Sequence, residues 1–255
     1  MAGFEGFGPL GSEAAIVLAV AAFATAGLSA IVGMAGGITL LAVMLLYAEP
    51  LLVIPLHGVI QLISNGSRSW IQRRSVRRDI VWRYALLLLP AGFAGIGLAQ
   101  RLPPDGLRAV IGAFVLLATW APGALLLGTH PENTNAHRRF VVLGGAVGFL
   151  NVSIGATGPL IAPFFLNLGL DRFALIGTKA ACQTLGHLAK LVVFGAVGFA
   201  FGEHALLLAL LAAMVVAGTW TGSRLLEFVN ERAFTLLYKS VLTLIALRLV
   251  ASALS

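Results

Sequence analysis

Polar side chains recur at steps of four residues in two otherwise apolar stretches, which we call the two polar stripes. They are His57, Gln61 and Asn65 in the first stripe, and Lys179, Gln183 and His187 in the second. A step of four places side chains on one face of a helix. Polar groups at membrane depth are costly, and by default they face a bundle interior or an aqueous path. We therefore expect both stripes to border a binding site, although interhelical hydrogen bonding is the alternative for any single member.

Two glycine-rich breaks accompany the stripes. The first break runs from Gly33 to Thr39, and the second runs from Gly155 to Ile161. Glycine weakens a helix and Pro159 removes a backbone donor, so we expect a helix to be interrupted at each point. An interruption at membrane depth is tolerated only where protein buries it or where it lines a polar cavity. The two breaks are therefore predicted to form the walls of one substrate site.

The chemistry of these residues favours an anion as the ligand. Helix N-termini after Gly36-Gly37 and after Gly158-Pro159 would present free N–H groups and the positive end of the helix dipole. Lysine and protonated histidine would add positive charge, whereas no carboxylate lies within these segments. The candidate substrate-binding residues are Gly36, Gly37, Thr39, His57, Gln61, Asn65, Asn151, Ser153, Thr157, Gly158, Lys179, Gln183 and His187. Local capping of the broken helix is the alternative for Ser153 and Thr157. No catalytic group, metal site or cofactor is predicted.

The amino-acid composition indicates which class of protein contains this site. Hydrophobic residues make up 59% of the 255 residues, charged residues make up 11%, and the mean hydropathy is +0.96. These values exclude a soluble globular domain and a disordered chain, and they indicate an all-α, polytopic integral membrane protein. Its length allows roughly eight spans of about 20 residues.

The distribution of positive charge argues against nucleic acid as a partner. The net charge is +7, but the first 67 residues contain no Lys or Arg, and six of the 17 basic residues lie between Arg68 and Arg83. This clustering is the positive-inside signal of a membrane protein, so the loop over 68–83 is expected in the cytoplasm.

The apolar segments form two series of five. They span 13–33, 38–48, 51–70, 80–99 and 106–127, and then 140–155, 160–169, 173–200, 204–222 and 233–253. Residues of the two series align at an offset of 122, as in Gln61 with Gln183 and Arg68 with Lys190. The offset indicates an internal duplication, with a first transmembrane repeat over 1–128, a cytoplasmic linker over 129–139 and a second repeat over 140–255.

The loop after the third segment differs in charge between the repeats. It holds five arginines from Arg73 to Arg83 in the first repeat, but its counterpart from Gly198 to His204 holds no Lys or Arg. We therefore expect the two loops on opposite sides of the membrane and the repeats inverted, with both termini outside. The second segments are too short to span hydrocarbon of about 30 Å. Each repeat is thus predicted to contain a broken, glycine-tipped helical hairpin and three membrane-crossing helices, although the first segments are long enough to span fully.

With these features the chain resembles the sulfite exporter TauE/SafE family, also called the toluene-sulfonate uptake permeases. The motifs that carry the resemblance are the break Gly33–Gly37, the basic loop Arg73–Arg77, the glycine pattern Ala91–Gly97 and the second break Gly155–Pro163. The resemblance implies a duplicated module with three membrane helices and the transport of small anions, such as sulfite, sulfonates and sometimes carboxylates. Ala156 and Thr157 depart from the residues common in the family.

The combined features predict a secondary transporter in the cell membrane, the inner membrane of a bacterium. It would move a small anion, a sulfur oxyanion or organosulfonate such as sulfite or sulfoacetate, by alternating access coupled to protons or to the membrane potential. Its partners would be the anion and membrane lipid, and the choice between monomer and homodimer stays open. An anion channel or a carboxylate permease that uses the same site is the alternative.

Two further classes fit the sequence less well. An intramembrane enzyme would need a nucleophile with a base or a metal cluster, and neither HExxH nor GxSxG occurs. A structural subunit would not need two matched polar stripes. Because no phosphate-binding GxxxxGK[ST] motif is present, the chain is not expected to hydrolyse ATP.

Overall fold

A computed structural model of the chain describes residues 11–32, 35–126, 135–165, 168–225 and 231–252, and the regular secondary structure of these residues is all helical, without a β-strand. The helices are α1 (Gly11–Val32), α2 (Ala35–Met44), α3 (Pro50–Ile71), α4 (Arg78–Ala85), α5 (Leu88–Ala99), α6 (Pro104–Trp120), α7 (Ala136–Ser153), α8 (Gly158–Ile161), α9 (Arg172–Ala196), α10 (Ala205–Leu225) and α11 (Glu231–Ala251). Short 3₁₀ turns lie at Pro122–Leu126, Ala162–Phe165 and Phe201–His204. Gly33 and Met34 of the first break, residues 129–134 of the predicted linker and both chain termini lie outside the described residues.

The helices that carry the polar stripes, α3 and α9, pack against each other. Both start as the sequence indicates. Pro50 occupies the first turn of α3, where its missing N–H leaves no bond unmade. Asp171 caps α9, because its carboxylate accepts from the backbone N–H groups of Phe173 and Ala174 at 2.8 and 2.9 Å.

The other helices pack around this central pair in a crossed pattern. α1 lies against α10, α5 against α7, and α6 against α11, while α2 packs back on α1. Glycines allow the closest approaches, since a Cβ on Gly218 would collide with the backbone of Phe23 and a Cβ on Gly148 with the backbone of Leu88. Gly144 and Gly148 therefore serve helix packing, which is the role that their close spacing indicates.

Two apolar segments depart from the predicted elements, and proline explains both departures. The segment over 80–99 is divided into α4 and α5, bent by 41°, because Pro90 cannot donate to the carbonyl of Leu86 and its ring clashes there. Among the described residues of the segment over 160–169, Leu160 and Ile161 end the four-residue helix α8 and Ala162–Phe165 form a 3₁₀ turn, because Pro163 interrupts the α-helical hydrogen bonds. The predicted linker is also shorter than expected on its C-terminal side, since α7 begins at Ala136.

The outer surface of the bundle is apolar. Large side chains such as Val20, Leu86 and Leu244 are exposed. The indoles of Trp70, Trp82, Trp120 and Trp220 are exposed as well, as expected of residues at a membrane interface. Within the described residues, the helical stretch Phe201–Gly222 is long and apolar enough to cross a bilayer alone, and α4 with α5 would make a second, bent crossing.

Candidate functional site

The contact between α3 and α9 brings the two polar stripes together. The rings of His57 and His187 meet edge to face, with centroids 6.0 Å apart and planes at 78°. Beside them lies a cavity with about 410 Å³ of space between atoms, part of it open to solvent. Its lining residues are Ser29, Gly37, Ile38, His57, Gln61, Asn65, Arg68, Ala156, Thr157, Gly158, Gln183 and His187. Both stripes and both breaks therefore contribute to one cavity.

The first break is held by side chains of α3. His57 donates from Nε2 to the carbonyl oxygen of Gly37 at 2.8 Å, which fixes the proton of a neutral imidazole on that nitrogen. The Gln61 amide lies so close to Gly37 that a Cβ there would be 3.0 Å from its Oε1. A Cβ on Gly36 would collide with the backbone of Thr25 in α1. Glycine is thus required at both positions, because Gly37 lies against the Gln61 side chain and Gly36 lies against the backbone of α1.

The second break turns at Gly155, whose φ is +96°. An L side chain rarely adopts this conformation, and a Cβ here would also lie 3.0 Å from the methyl groups of Leu41. The Gly155 carbonyl accepts a 2.7 Å hydrogen bond from Nζ of Lys190, a residue of α9 with no exposed surface. The next three residues, from Ala156 to Gly158, line the cavity. A side chain of α3 therefore bonds to a glycine carbonyl in the first break, and a side chain of α9 bonds to a glycine carbonyl in the second break.

The cavity includes most of the site residues predicted from the sequence. Eight of them line it: Gly37, His57, Gln61, Asn65, Thr157, Gly158, Gln183 and His187. The other five, Gly36, Thr39, Asn151, Ser153 and Lys179, are not among its lining residues. Ser153 donates to the carbonyl of Phe149 in its own helix at 2.8 Å, which is the local role given above as the alternative. Thr39 and Asn151 are buried, and Lys179 lies within electrostatic range of Arg68.

The structure adds residues that were not selected from the sequence. Ser29, Ile38, Arg68 and Ala156 also line the cavity, and Lys190 lies behind it. The repeat offset contained a signal for several of these. Arg68 corresponds to Lys190, and Ser29 corresponds to the predicted residue Asn151, since 151 − 29 = 122. Requiring the same role in both repeats would have added Ser29.

The electrostatics of the cavity suit an anion. Among the described residues that line it, Arg68 carries a full positive charge, the other polar side chains are amides, hydroxyls and imidazoles, and none is a carboxylate. The Arg68 guanidinium donates one hydrogen bond, at 3.2 Å, to the hydroxyl of Ser64. Its planar fork of donors matches two oxygens of a sulfonate or carboxylate. The cavity therefore offers hydrogen-bond donors and positive charge to a small oxyanion.

An all-helical bundle with an apolar exterior and a polar, carboxylate-free cavity at two backbone breaks has the organisation of a membrane transporter for a polar solute. The chain belongs to the sulfite exporter TauE/SafE family, whose family model matches residues 18–249. This is a family of membrane transporters for sulfur anions rather than of enzymes, so the protein functions in membrane transport. Comparisons with curated proteins and with solved structures gave no match.

The geometry of the second break predicts a difference between two glycine substitutions. Gly155 and Gly198 have nearly the same φ, +96° and +94°, but nothing lies within 4 Å of a Cβ on Gly198. We expect Gly198→Ala to cost about 1–2 kcal/mol of stability through backbone strain alone. Gly155→Ala should cost a further 1–3 kcal/mol or so, because it also crowds Leu41. Melting temperatures of both variants in detergent measure the difference, and equal losses would contradict the crowded turn.

Proposed function

We propose that the protein is a secondary transporter that moves a small sulfur oxyanion or organosulfonate, such as sulfite or sulfoacetate, across the membrane by alternating access. The observation that carries this proposal is the single cavity formed by both breaks and both polar stripes, with Arg68 at its wall and no carboxylate among its described lining residues. Transport would be coupled to protons or to the membrane potential.

The donors around the cavity support an oxyanion as the substrate. Amide groups of Gln61 and Gln183 and the Thr157 hydroxyl can each donate to an oxygen, while Arg68 can bind two oxygens at once. The Asn65 amide donates to the carbonyl of Gln61 at 3.0 Å. α2 begins at Ala35, so Gly36 and Gly37 lie in its first turn rather than before it, and this turn brings the positive end of the helix dipole to the cavity at Gly37. These donors would suit a pyramidal sulfite, a tetrahedral sulfonate or a planar carboxylate, and membership of the family favours the sulfur compounds.

The packing of the helices supports a two-fold related pair of repeats, and the difference in basic residues between the corresponding loops supports their inversion. In the predicted duplication, α1 corresponds to α7 and α5 corresponds to α10. The contact between α1 and α10 is therefore the counterpart of the contact between α7 and α5. The contacts α3 with α9 and α6 with α11 join corresponding helices. This is the contact pattern that a two-fold axis between the halves would produce. An inverted arrangement gives a transporter two equivalent conformations, one open to each side.

The inverted repeats predict that two corresponding loops lie on opposite sides of the membrane. Arg74 and Glu203 are exposed residues of these loops, whereas the native Cys182 is buried. We expect Glu203→Cys to react with a membrane-impermeant maleimide on intact cells, and Arg74→Cys to react only after the cells are permeabilised. The wild type, which retains Cys182, is the control and should remain unlabelled. Labelling of both variants on intact cells would rule out the inversion.

The cavity predicts which variant loses anion binding. Sulfite, thiosulfate, sulfoacetate, taurine and acetate would be screened by thermal shift with the purified protein in detergent. An anion at 100 times its Kd should stabilise the fold by about 2.7 kcal/mol. We expect a sulfur oxyanion to stabilise the wild type, and we expect Gln61→Ala to reduce this effect because the amide lies at the cavity wall. Gln100→Ala changes the same residue type at the exposed end of α5 and should respond like the wild type.

Each outcome of this screen is informative. If acetate stabilises the protein and the sulfur anions do not, the substrate is a carboxylate and the sulfur assignment is wrong. If Gln61→Ala and Gln100→Ala both respond like the wild type, the anion binds away from the cavity. If no anion of the panel stabilises the wild type, the proposed function fails.

A further inference from the structure

Lys190 is a lysine with no exposed surface, near the end of the polar stripe on α9. Its aliphatic chain lies against Gly58 of α3, where a Cβ would be only 2.9 Å from Lys190 Cδ. Its Nζ donates to the carbonyl of Gly155 at 2.7 Å. The amine is thus fixed between the two core helices and the second break.

The described residues around this amine provide no counter-charge. The titratable groups within electrostatic range of it are His57 from α3 and His187 from α9. Within the part of the chain that the structure describes, no carboxylate forms an ion pair with Lys190. A buried ammonium with a single carbonyl as its partner is costly in an apolar bundle.

Two events would remove this cost. The amine can give up its proton, or an anion can enter the adjacent cavity and supply the missing negative charge. His57 and His187 both line that cavity, so an anion bound there lies next to the groups that surround Lys190. The anion and the proton on Lys190 therefore stabilise each other's binding, and such a coupling is reciprocal.

We propose that Lys190 takes up one proton with each anion that binds in the cavity and releases it when the anion leaves. This inference rests on the proposed function and names the group that couples it to protons. The anion and its proton would cross together, so the loaded site carries one negative charge less than the anion alone. Arg68, the corresponding residue of the first repeat, keeps its charge at all relevant pH values and so cannot do this.

The alternative carriers of the proton are the two histidines, which titrate near neutrality when exposed. His57 already uses its Nε2–H to hold Gly37, and the Nδ1 atoms of both rings are buried without a hydrogen-bond partner. A second proton on His57 would have to go to Nδ1. The variants described below decide between these imidazoles and Lys190.

Proton uptake on binding can be measured directly. The purified protein in weakly buffered detergent at about pH 7.5 would be titrated with sulfoacetate and with thiosulfate while a pH-indicator dye is followed. Both compounds are fully ionised near neutral pH, so any proton that is taken up on binding goes to the protein. We expect the wild type to take up close to one proton per anion bound.

Four variants locate the proton. Lys190→Met keeps an unbranched chain against Gly58 and should bind the anion at least tenfold more weakly, with no proton uptake. Lys190→Arg restores a permanent charge, so it should bind the anion but take up no proton. His187→Gln should still take up the proton. Lys239→Met, a change on α11 where the amine lies over Trp120, should behave like the wild type.

The failure of this inference differs from the failure of the proposed function. If the wild type binds either anion without taking up a proton, Lys190 is not the coupling group, although anion transport stands. If Lys190→Met still takes up the proton, or if only His187→Gln loses it, the carrier is an imidazole and the inference is wrong. If neither anion binds to the wild type, the proposed function fails and this inference fails with it.

Discussion

The structure depends on one constraint, which is that backbone groups freed inside an apolar bundle must be given partners by the protein itself. The helix is interrupted between α7 and α8, and the described helices α1 and α2 lie on either side of the first break. Lys190 supplies a partner for the carbonyl of Gly155 at the second break, and His57 adds a hydrogen bond to the carbonyl of Gly37 in the first turn of α2. These bonds tie each break to the contact between α3 and α9. The remaining helices pack around that contact, and the donors not used in holding the breaks are left to face a small cavity.

The charge of the cavity links the fold to transport. A membrane protein that binds a cation needs oxygen ligands, usually carboxylates. Here the described lining residues provide amides, hydroxyls, imidazoles and a guanidinium instead. Because nothing within that set neutralises Arg68, the most favourable occupant is an anion. Membership of the sulfite exporter TauE/SafE family agrees with this reading of the site, and the pairing of corresponding helices supports a two-fold related framework around it.

The sequence predicted the parts of the structure that follow from spacing. Steps of four placed His57 and Gln61 on one face of α3, and the second glycine cluster marked the interruption between α7 and α8, since both features depend on local geometry. The bend between α4 and α5 was missed although Pro90 was visible, because proline in a long apolar segment is compatible with a kink or with a break. The roles of Lys190 and Lys179 could not be separated by spacing. Which lysine lies inside depends on the rotation of α9 against α3, and that is set by packing around glycines such as Gly58.

The measurement that tests the central claim most directly is uptake of radiolabelled sulfite into proteoliposomes containing the purified protein, with a proton gradient or a membrane potential imposed across the bilayer. A transporter that uses this cavity should concentrate sulfite above the level set by free equilibration of the anion, and Gln183→Ala, which changes the cavity wall, should reduce the rate. Flux that only equilibrates sulfite with the imposed potential would indicate a channel or a uniporter, without proton coupling. Uptake no faster than in empty liposomes, with the protein folded, would contradict the account.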